Sequence, residues 1–166
     1  MDEAAHFRLH RLQSSETARL AALMTVFGEA FDDRETYGRA PPSEDYLTRL
    51  LDKDHFIAIV CLSGEELVGG LTAYVLDKPE QQRSEAYIYD LAVAKPHRRR
   101  GIATGLVRTL QGIAAERGAY VIFVQADLAD APAIALYDKL GAREEVLHFD
   151  IVVPTIGVPG TAGADC

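Results

Sequence analysis

The 166-residue chain (18.1 kDa) predicts one α/β domain of the α+β kind, a mixed and mostly antiparallel central sheet flanked by helices. Three observations carry that prediction. Two nearly continuous apolar runs, 55–62 and 67–76, are joined by Ser63-Gly64-Glu65-Glu66 and read as a hairpin of buried strands. Strand, helix and strand then follow one another from residue 86 to residue 124, a βαβ unit. Two further helical periods stand together before the hairpin instead of alternating with strands, which argues against a doubly wound sheet.

Each element has its own local reason. Residues 7–12 alternate loosely and begin the sheet. Ser14 and Ser15 offer an N-cap, with Glu16 in the first turn, to a helix whose Leu20, Leu23, Met24, Phe27 and Phe31 fall at helical spacing. Residues 32–39 are polar, contain Gly38 and lead into Pro41-Pro42, so they read as a loop. Ser43 caps a second helix with the apolar stripe Leu47, Leu50 and Leu51. After the hairpin, residues 77–84 are charged, contain Pro79 and read as an exposed loop. Residues 86–93 (AYIYDLAV) are rich in aromatic and β-branched types and form a strand, with Asp90 near its centre. From Gly101 the period is helical, with Ile102, Leu106, Leu110 and Ile113 on one face and Gly118 as the stop. Residues 119–124 are an apolar strand, residues 131–140 a short helix ended by Gly141, and residues 144–153 alternate as a last strand. From Pro154 to Cys166 the chain is rich in Pro, Gly, Thr and Ala and reads as a mobile tail, which puts the domain at residues 1–153.

Charge narrows the function classes. Seventeen Lys and Arg stand against 25 Asp and Glu, a net charge of −8 and a pI near 5.1. A broad nucleic-acid surface needs clustered positive charge, so nucleic acid is not the expected partner. A negative field concentrates and steers cations, so a cationic ligand is. No apolar run approaches the roughly 20 residues of a membrane span, and Met1-Asp2-Glu3 lacks the basic and apolar regions of a signal peptide. A cytoplasmic location is expected. Cys61 and Cys166 make neither a disulfide framework nor a metal quartet, and no metal is expected.

The densest chemical signal is Lys95-Pro96-His97-Arg98-Arg99-Arg100-Gly101-Ile102-Ala103-Thr104, basic residues between a strand end and a helix start in an acidic chain. A helix N-terminus presents unpaired N–H groups and partial positive charge, a ready anion site, and neighbouring arginines add charge-assisted contacts. The alternative is a solvated basic turn. The spacing is neither that of a P-loop, whose lysine is missing, nor that of a dinucleotide fingerprint. Arg98, two residues, Gly101, one residue, Ala103 matches instead the signature of the GNAT superfamily of N-acetyltransferases. Asp130 to Gly141 (DAPAIALYDKLG) resembles that superfamily's second motif, in which a Tyr on a short helix faces the cofactor sulfur.

The resemblance extends to the class I aminoglycoside 3-N-acetyltransferases. It is carried by Arg83-Ser84-Glu85, Tyr89-Asp90-Leu91-Ala92-Val93, His97-Arg98-Arg99, Gly118-Ala119-Tyr120-Val121-Ile122, Val124-Gln125-Ala126-Asp127, Arg143-Glu144-Glu145-Val146 and His148-Phe149-Asp150-Ile151, with Val26-Phe27-Gly28 and Asp45-Tyr46-Leu47 upstream. It covers roughly residues 7–152. It implies the GNAT fold, with a V-shaped splay between the strands around Asp90 and Val121. It also implies acetyl-CoA as cosubstrate, direct acetyl transfer to a bound amine of a gentamicin-type 2-deoxystreptamine antibiotic, resistance to that antibiotic, and a homodimer.

That chemistry needs a base for the amine, a donor for the oxyanion and a proton for the departing thiolate. Asp90 is the candidate base, since a carboxylate inside an apolar strand is costly unless it has a partner or a task, and the family places a bulge there that aims it into the site. The alternative is that Asp90 only anchors the substrate or bonds a local N–H. Tyr137 is the candidate acid, with core packing beside Leu136 and Leu140 as its alternative. The resemblance assigns the pantetheine arm and the oxyanion donor to Leu91, Ala92 and Val93. It assigns the pyrophosphate to Arg98, Arg99, Arg100, Gly101, Ile102, Ala103 and Thr104, and further arm contacts to Asp130 and Ala133. A polycationic acceptor needs spaced carboxylates, and the candidates are Asp32, Asp33, Glu35, Glu80, Glu85, Asp90, Asp127 and Asp150, each alternatively a solvated surface acid. Other readings are an acetyltransferase for a polyamine or peptide amine, or a non-catalytic acetyl-CoA-binding module, which would tolerate loss of Asp90 and Tyr137.

Overall fold

Strands that follow one another in this sequence pair with one another, so the sheet order is the chain order. In the computed structural model, which describes residues 7–154, five strands lie side by side: β1 (Phe7–Arg11), β2 (Phe56–Ser63), β3 (Glu66–Lys78), β4 (Arg83–Val93) and β5 (Ala119–Val124). The first four are antiparallel neighbours, and β5 joins parallel to β4 through the crossover helix α4 (Ile102–Glu116). Helices α1 (Thr17–Ala30), α2 (Arg34–Gly38) and α3 (Glu44–Leu51) fill the β1–β2 connection, and α5 (Ala131–Tyr137) follows β5. The segments preceding Phe7 and following Pro154, including the expected tail and Cys166, lie outside the described residues.

The alternation of β2 and β3 feeds two cores. Ile57, Ile59, Leu71, Ala73 and Ile88 face Ile102, Leu106, Val107 and Leu110 of α4. Phe56, Ala58, Val60 and Leu62 face Leu20, Leu23 and Phe27 of α1 and Leu47 of α3. With both faces covered, β2 is buried from Phe56 to Leu62, which is why its sequence runs apolar without alternating. Gly70 seats α1. A Cβ there would stand 2.6 Å from the Ile59 carbonyl oxygen and 2.6 Å from Leu23 Cδ1, so only a bare backbone lets Leu23 reach the sheet.

Several sequence expectations need correction. The N-cap of α1 is Glu16, not Ser14 or Ser15, because the Glu16 carboxylate accepts the Gln13 N–H at 2.9 Å and pairs with His10 and Arg19. Residues 34–38 are helical, not loop, because the Asp33 carboxylate accepts the Thr36 N–H at 3.0 Å and starts a turn. The charged loop is shorter than its composition suggests: cross-strand pairs Leu76–Glu85, Asp77–Ser84 and Lys78–Arg83 carry the hairpin to its tip, with the Ser84 hydroxyl donating to Asp77 at 2.9 Å. Helix α5 ends at Tyr137, three residues short of expectation.

Residues 144–153 form no strand, and their Val146, Leu147, Phe149, Ile151, Val152 and Val153 are between 72% and 89% exposed. Apolar residues on both sides of the segment give it β character without specifying which edge it pairs with. The splay opens at Asp90 as expected, since pairing with β5 ends at Ile88 on β4; on β5 the pairing runs on to Val124, so the opening lies past Val121, which sits in the register shift between Ala119 and Ile122.

Candidate active site

The site grows out of the point where β5 leaves β4. Past Ile88, β4 keeps β3 on one side (Leu91 opposite Leu71, Ala92 opposite Gly70, Val93 opposite Gly69) and, among the described residues, has no strand on the other. Backbone groups of Leu91 to Val93 on the open side therefore face a cleft of about 440 Å³. The rest of its lining comes from four places: Ala30 and Phe31 at the end of α1, the loop from His97 to Thr104, Asp130 and Pro132 to Ala133 at the start of α5, and Tyr137 with its neighbours.

The loop is shaped by its own hydrogen bonds. Ala94 N–H donates to the Val68 carbonyl at 2.8 Å, Lys95–His97 form a single 3-10 turn, and Arg98 Nε donates to the Val93 carbonyl at 2.9 Å. Arg98 thus fastens the loop to the strand end. Arg99 (φ 65°) and Gly101 (φ 80°) both adopt left-handed backbone, and Gly101 is the N-cap of α4 with no side chain capping it. The first bond of the helix runs from Gly105 N–H to the Gly101 carbonyl at 2.9 Å, which leaves the N–H groups of Ile102, Ala103 and Thr104 without helical partners. Open space surrounds the position a Cβ would take at Gly101, so glycine is required there for its conformation rather than for room. The geometry suits a pyrophosphate. Arg100 is exposed and outside the cleft lining.

Asp90 owes its position to a bulge. Thr72 stands opposite Asp90 while Ala73 stands opposite Ile88, so Tyr89 is an extra residue and Asp90 turns toward the α1–α2 face. There the Tyr37 hydroxyl donates to Asp90 Oδ1 at 2.8 Å. Burial raises the Asp90 carboxyl above its ordinary range, against hydrogen bonds from Tyr37 and Thr72 that favour the charged form. Tyr37 is itself pushed far up, by burial first and by Asp90 second, so it remains a donor. Tyr37 rests on Phe27 and Phe31, with ring centroids 6.0 and 5.8 Å away. Tyr137 is half-buried and raised to about 12, by burial first and then by the charge of Asp130, so it carries its proton throughout the neutral range.

The remaining candidates are dispersed. Asp33 and Asp130 cap helices, accepting the N–H groups of Thr36 and Ala133 at 3.0 Å each. Asp32 is exposed in left-handed backbone, and Glu35 pairs with Arg39 at 2.6 Å. Glu80 lies 3.2 Å from Arg83, and Glu85 accepts from Tyr120 and lies 3.6 Å from Lys78, both near the β3–β4 turn. Asp127 is exposed before α5, and Asp150 accepts from His148 at 3.0 Å in the unpaired segment 144–153. The structure gathers Arg98, Arg99, Gly101 to Thr104, Leu91 to Val93, Asp130, Ala133 and Tyr137 into one cleft, leaves Arg100 and Asp90 outside its lining, and leaves the other acids apart. Tyr37 and Phe31 were missed by sequence reasoning. The available signal for Tyr37 was Asp33 followed three residues later by Thr36, a helix start that places Tyr37 on a turn.

The acetyltransferase (GNAT) family model matches residues 20–142. The chain belongs to the GNAT acetyltransferase family. Its GNAT fold is shared with an aminoglycoside acetyltransferase from an uncultured soil metagenomic sample, 59% identical, with a TM-score of 0.88 over 90% of this chain and 99% of that one. A second soil-metagenome aminoglycoside acetyltransferase, solved in complex with trehalose and with sisomicin, is 31% identical with a TM-score of 0.83, over 89% of this chain and 97% of that one. The rat N-acetyltransferase 8B is 31% identical over 90 residues, 54% of this chain. The match spans 40% of that curated relative's length.

Proposed function

We propose that this chain transfers an acetyl group from acetyl-CoA to an amine of an aminoglycoside, at the 3-amino group of the 2-deoxystreptamine ring of gentamicin-type antibiotics, and so confers resistance to them. The observation that carries the reading is the 59% identity to an aminoglycoside acetyltransferase across 90% of the chain, and the cleft supplies a physical route. Acetyl-CoA, when bound, supplies the acetyl group as an activated thioester. The free N–H groups of Ile102, Ala103 and Thr104 hold its pyrophosphate, with Arg99 alongside. The open side of Leu91 to Val93 pairs with its pantetheine arm and offers an N–H to the charge that develops on the acetyl oxygen.

Asp90 does two things on this reading. It holds the incoming ammonium by charge, and it accepts the proton that frees the nitrogen lone pair, directly or through water. Burial makes it a stronger base than an exposed carboxylate, while Tyr37 fixes its orientation. Tyr137 gives its proton toward the departing sulfur. Asp90 takes the first proton of the ammonium; the nitrogen then bonds the acetyl carbon as the C–S bond breaks, the departing sulfur takes the Tyr137 proton, and the second proton of the nitrogen passes through water to restore the Tyr137 hydroxyl.

The test is thiol release from acetyl-CoA with gentamicin, sisomicin, kanamycin, spermidine and a short peptide offered in turn. Release with the three antibiotics and not with spermidine or peptide is expected. Turnover confined to spermidine would move the reading to a polyamine acetyltransferase, and turnover confined to peptide to a protein one. Acetyl-CoA binding without turnover of any acceptor would leave a binding module.

A further inference from the structure

One face of the sheet carries an aromatic row that the chemistry above does not use. Phe56, Tyr74, Tyr87 and Phe123 are successive cross-strand partners across β2, β3, β4 and β5, so all four lie on the face that α1 and α3 cover at the β2 end. Tyr89, the extra residue of the bulge, inserts into the row, with its ring centroid 6.0 Å from Tyr74 and 5.9 Å from Tyr87. Tyr87 stacks on Phe123 at 4.8 Å with 17° between their planes. The row starts buried at Phe56 and ends open, with Phe123 39% and Tyr89 62% exposed. Asp90 is the next residue after Tyr89.

Cross-strand aromatic pairs stabilise a sheet, and that accounts for Phe56, Tyr74 and Tyr87. It does not account for Tyr89, which the bulge lifts out of the regular register and leaves mostly in water beside a carboxylate. An aromatic face has an apolar surface and a negative quadrupole, so it takes the C–H face of a saturated ring and the ammonium groups such a ring carries. The carboxylate next to it fixes one ammonium, and the chain's net charge of −8 favours a cation over an anionic or neutral guest. A flat, amine-bearing saccharide satisfies every one of these groups. An apolar peptide would offer Asp90 no cation, leaving its carboxylate with only the Tyr37 and Thr72 hydrogen bonds.

We propose that Tyr89, backed by Tyr87 and Phe123, is a ring-stacking subsite that seats a sugar ring of the aminoglycoside beside Asp90 and so sets acceptor affinity. This rests on the aminoglycoside reading above and adds to it the surface that recognises the rings rather than the charges.

Tyr89 is exposed enough to replace without disturbing the core, and thermal melting of each variant checks that. Steady-state kinetics with sisomicin are measured for the wild type, Tyr89→Ala and Tyr89→Phe. The expected result is a KM for sisomicin raised about tenfold in Tyr89→Ala, a KM for acetyl-CoA that does not move, and recovery of the sisomicin KM in Tyr89→Phe. An unchanged sisomicin KM in Tyr89→Ala overturns the assignment, and so does an equal loss in Tyr89→Phe, which would make the hydroxyl and not the ring the recognising group. A change in oligomeric state of Tyr89→Ala without a change in KM overturns it in favour of a protein contact. A wild type that turns over no aminoglycoside refutes the functional reading itself, and this assignment with it. A wild type that does so, with an indifferent Tyr89→Ala, removes the subsite alone.

Discussion

Tyr37→Phe isolates what holds Asp90 in place. The substitution removes one oxygen and keeps the ring that packs on Phe27 and Phe31. The lost contact is a hydroxyl donating to a half-buried carboxylate at 2.8 Å. Hydrogen bonds to charged groups contribute about 1.5–3 kcal/mol, and partial exposure lets water replace part of that, so about 1.5 kcal/mol, or about tenfold in kcat/KM, is the expected loss. The pH dependence has a definite sign. Tyr37 favours the ionised form of Asp90, opposing the burial that raises it. Without the hydroxyl, burial acts less opposed, the carboxyl moves further up, and the acidic limb of kcat/KM shifts to higher pH. The assay is acetyl-CoA-dependent thiol release with sisomicin across pH 5 to 9 for wild type and variant. A tenfold loss with no movement of the acidic limb would refute the link between Tyr37 and the charge state of Asp90. A limb that moves to lower pH would mean that Tyr37 favours the protonated form of Asp90, the opposite of the effect expected here.

Three further outcomes follow from the same geometry. Tyr137→Phe lowers kcat more than the KM for acetyl-CoA, by about 10²-fold or more if the proton transfer is general-acid catalysis. Because Tyr137 titrates only near 12, any basic limb seen in the wild-type profile persists in that variant. Gly101→Val forces a β-branched residue to φ 80° at the cap of α4, so isothermal titration should show acetyl-CoA binding weakened at least tenfold, whereas binding at wild-type strength would contradict the phosphate-loop assignment. Gly70→Ala brings a Cβ to 2.6 Å from both the Ile59 carbonyl and Leu23, an overpacking that costs about 1–3 kcal/mol, so calorimetry should show Tm lowered by several degrees with acetyl-CoA binding at 25 °C retained.

The legible parts of this protein were those where local chemistry and tertiary role coincide. The apolar runs of β2 and β3 and the Ser63-Gly64-Glu65-Glu66 turn specify a hairpin by themselves, and the loop from Lys95 to Thr104 is a contiguous stretch whose helix N-terminus lies next to its arginines in sequence. Asp90 stood out because an acid in an apolar strand needs a reason. Tyr37 could not be read the same way. It lies 53 residues from Asp90, on a five-residue helix, and only the α1–α2 packing brings the two together. The aromatic row was likewise invisible as a row, because it depends on the register of four strands and on one extra residue in β4. The acids were visible individually, but composition does not say that Glu35 pairs with Arg39 or that Glu80 lies beside Arg83. Residues 144–153 show the reverse case: alternation suggested a strand, and no partner edge in the described residues receives it.

On the proposed function, the cleft at the end of β4 delivers acetyl to one nitrogen of an aminoglycoside, and Asp90 receives a proton from it. The most direct measurement is two-dimensional NMR of the product formed from gentamicin and acetyl-CoA by the wild type, with Asp90→Asn run alongside. The expected product carries a single acetyl group on the 3-nitrogen of the 2-deoxystreptamine ring, and Asp90→Asn forms it at least about 10²-fold more slowly. Acetylation at another nitrogen would contradict the assigned position, and an Asp90→Asn enzyme as fast as the wild type would contradict the mechanism.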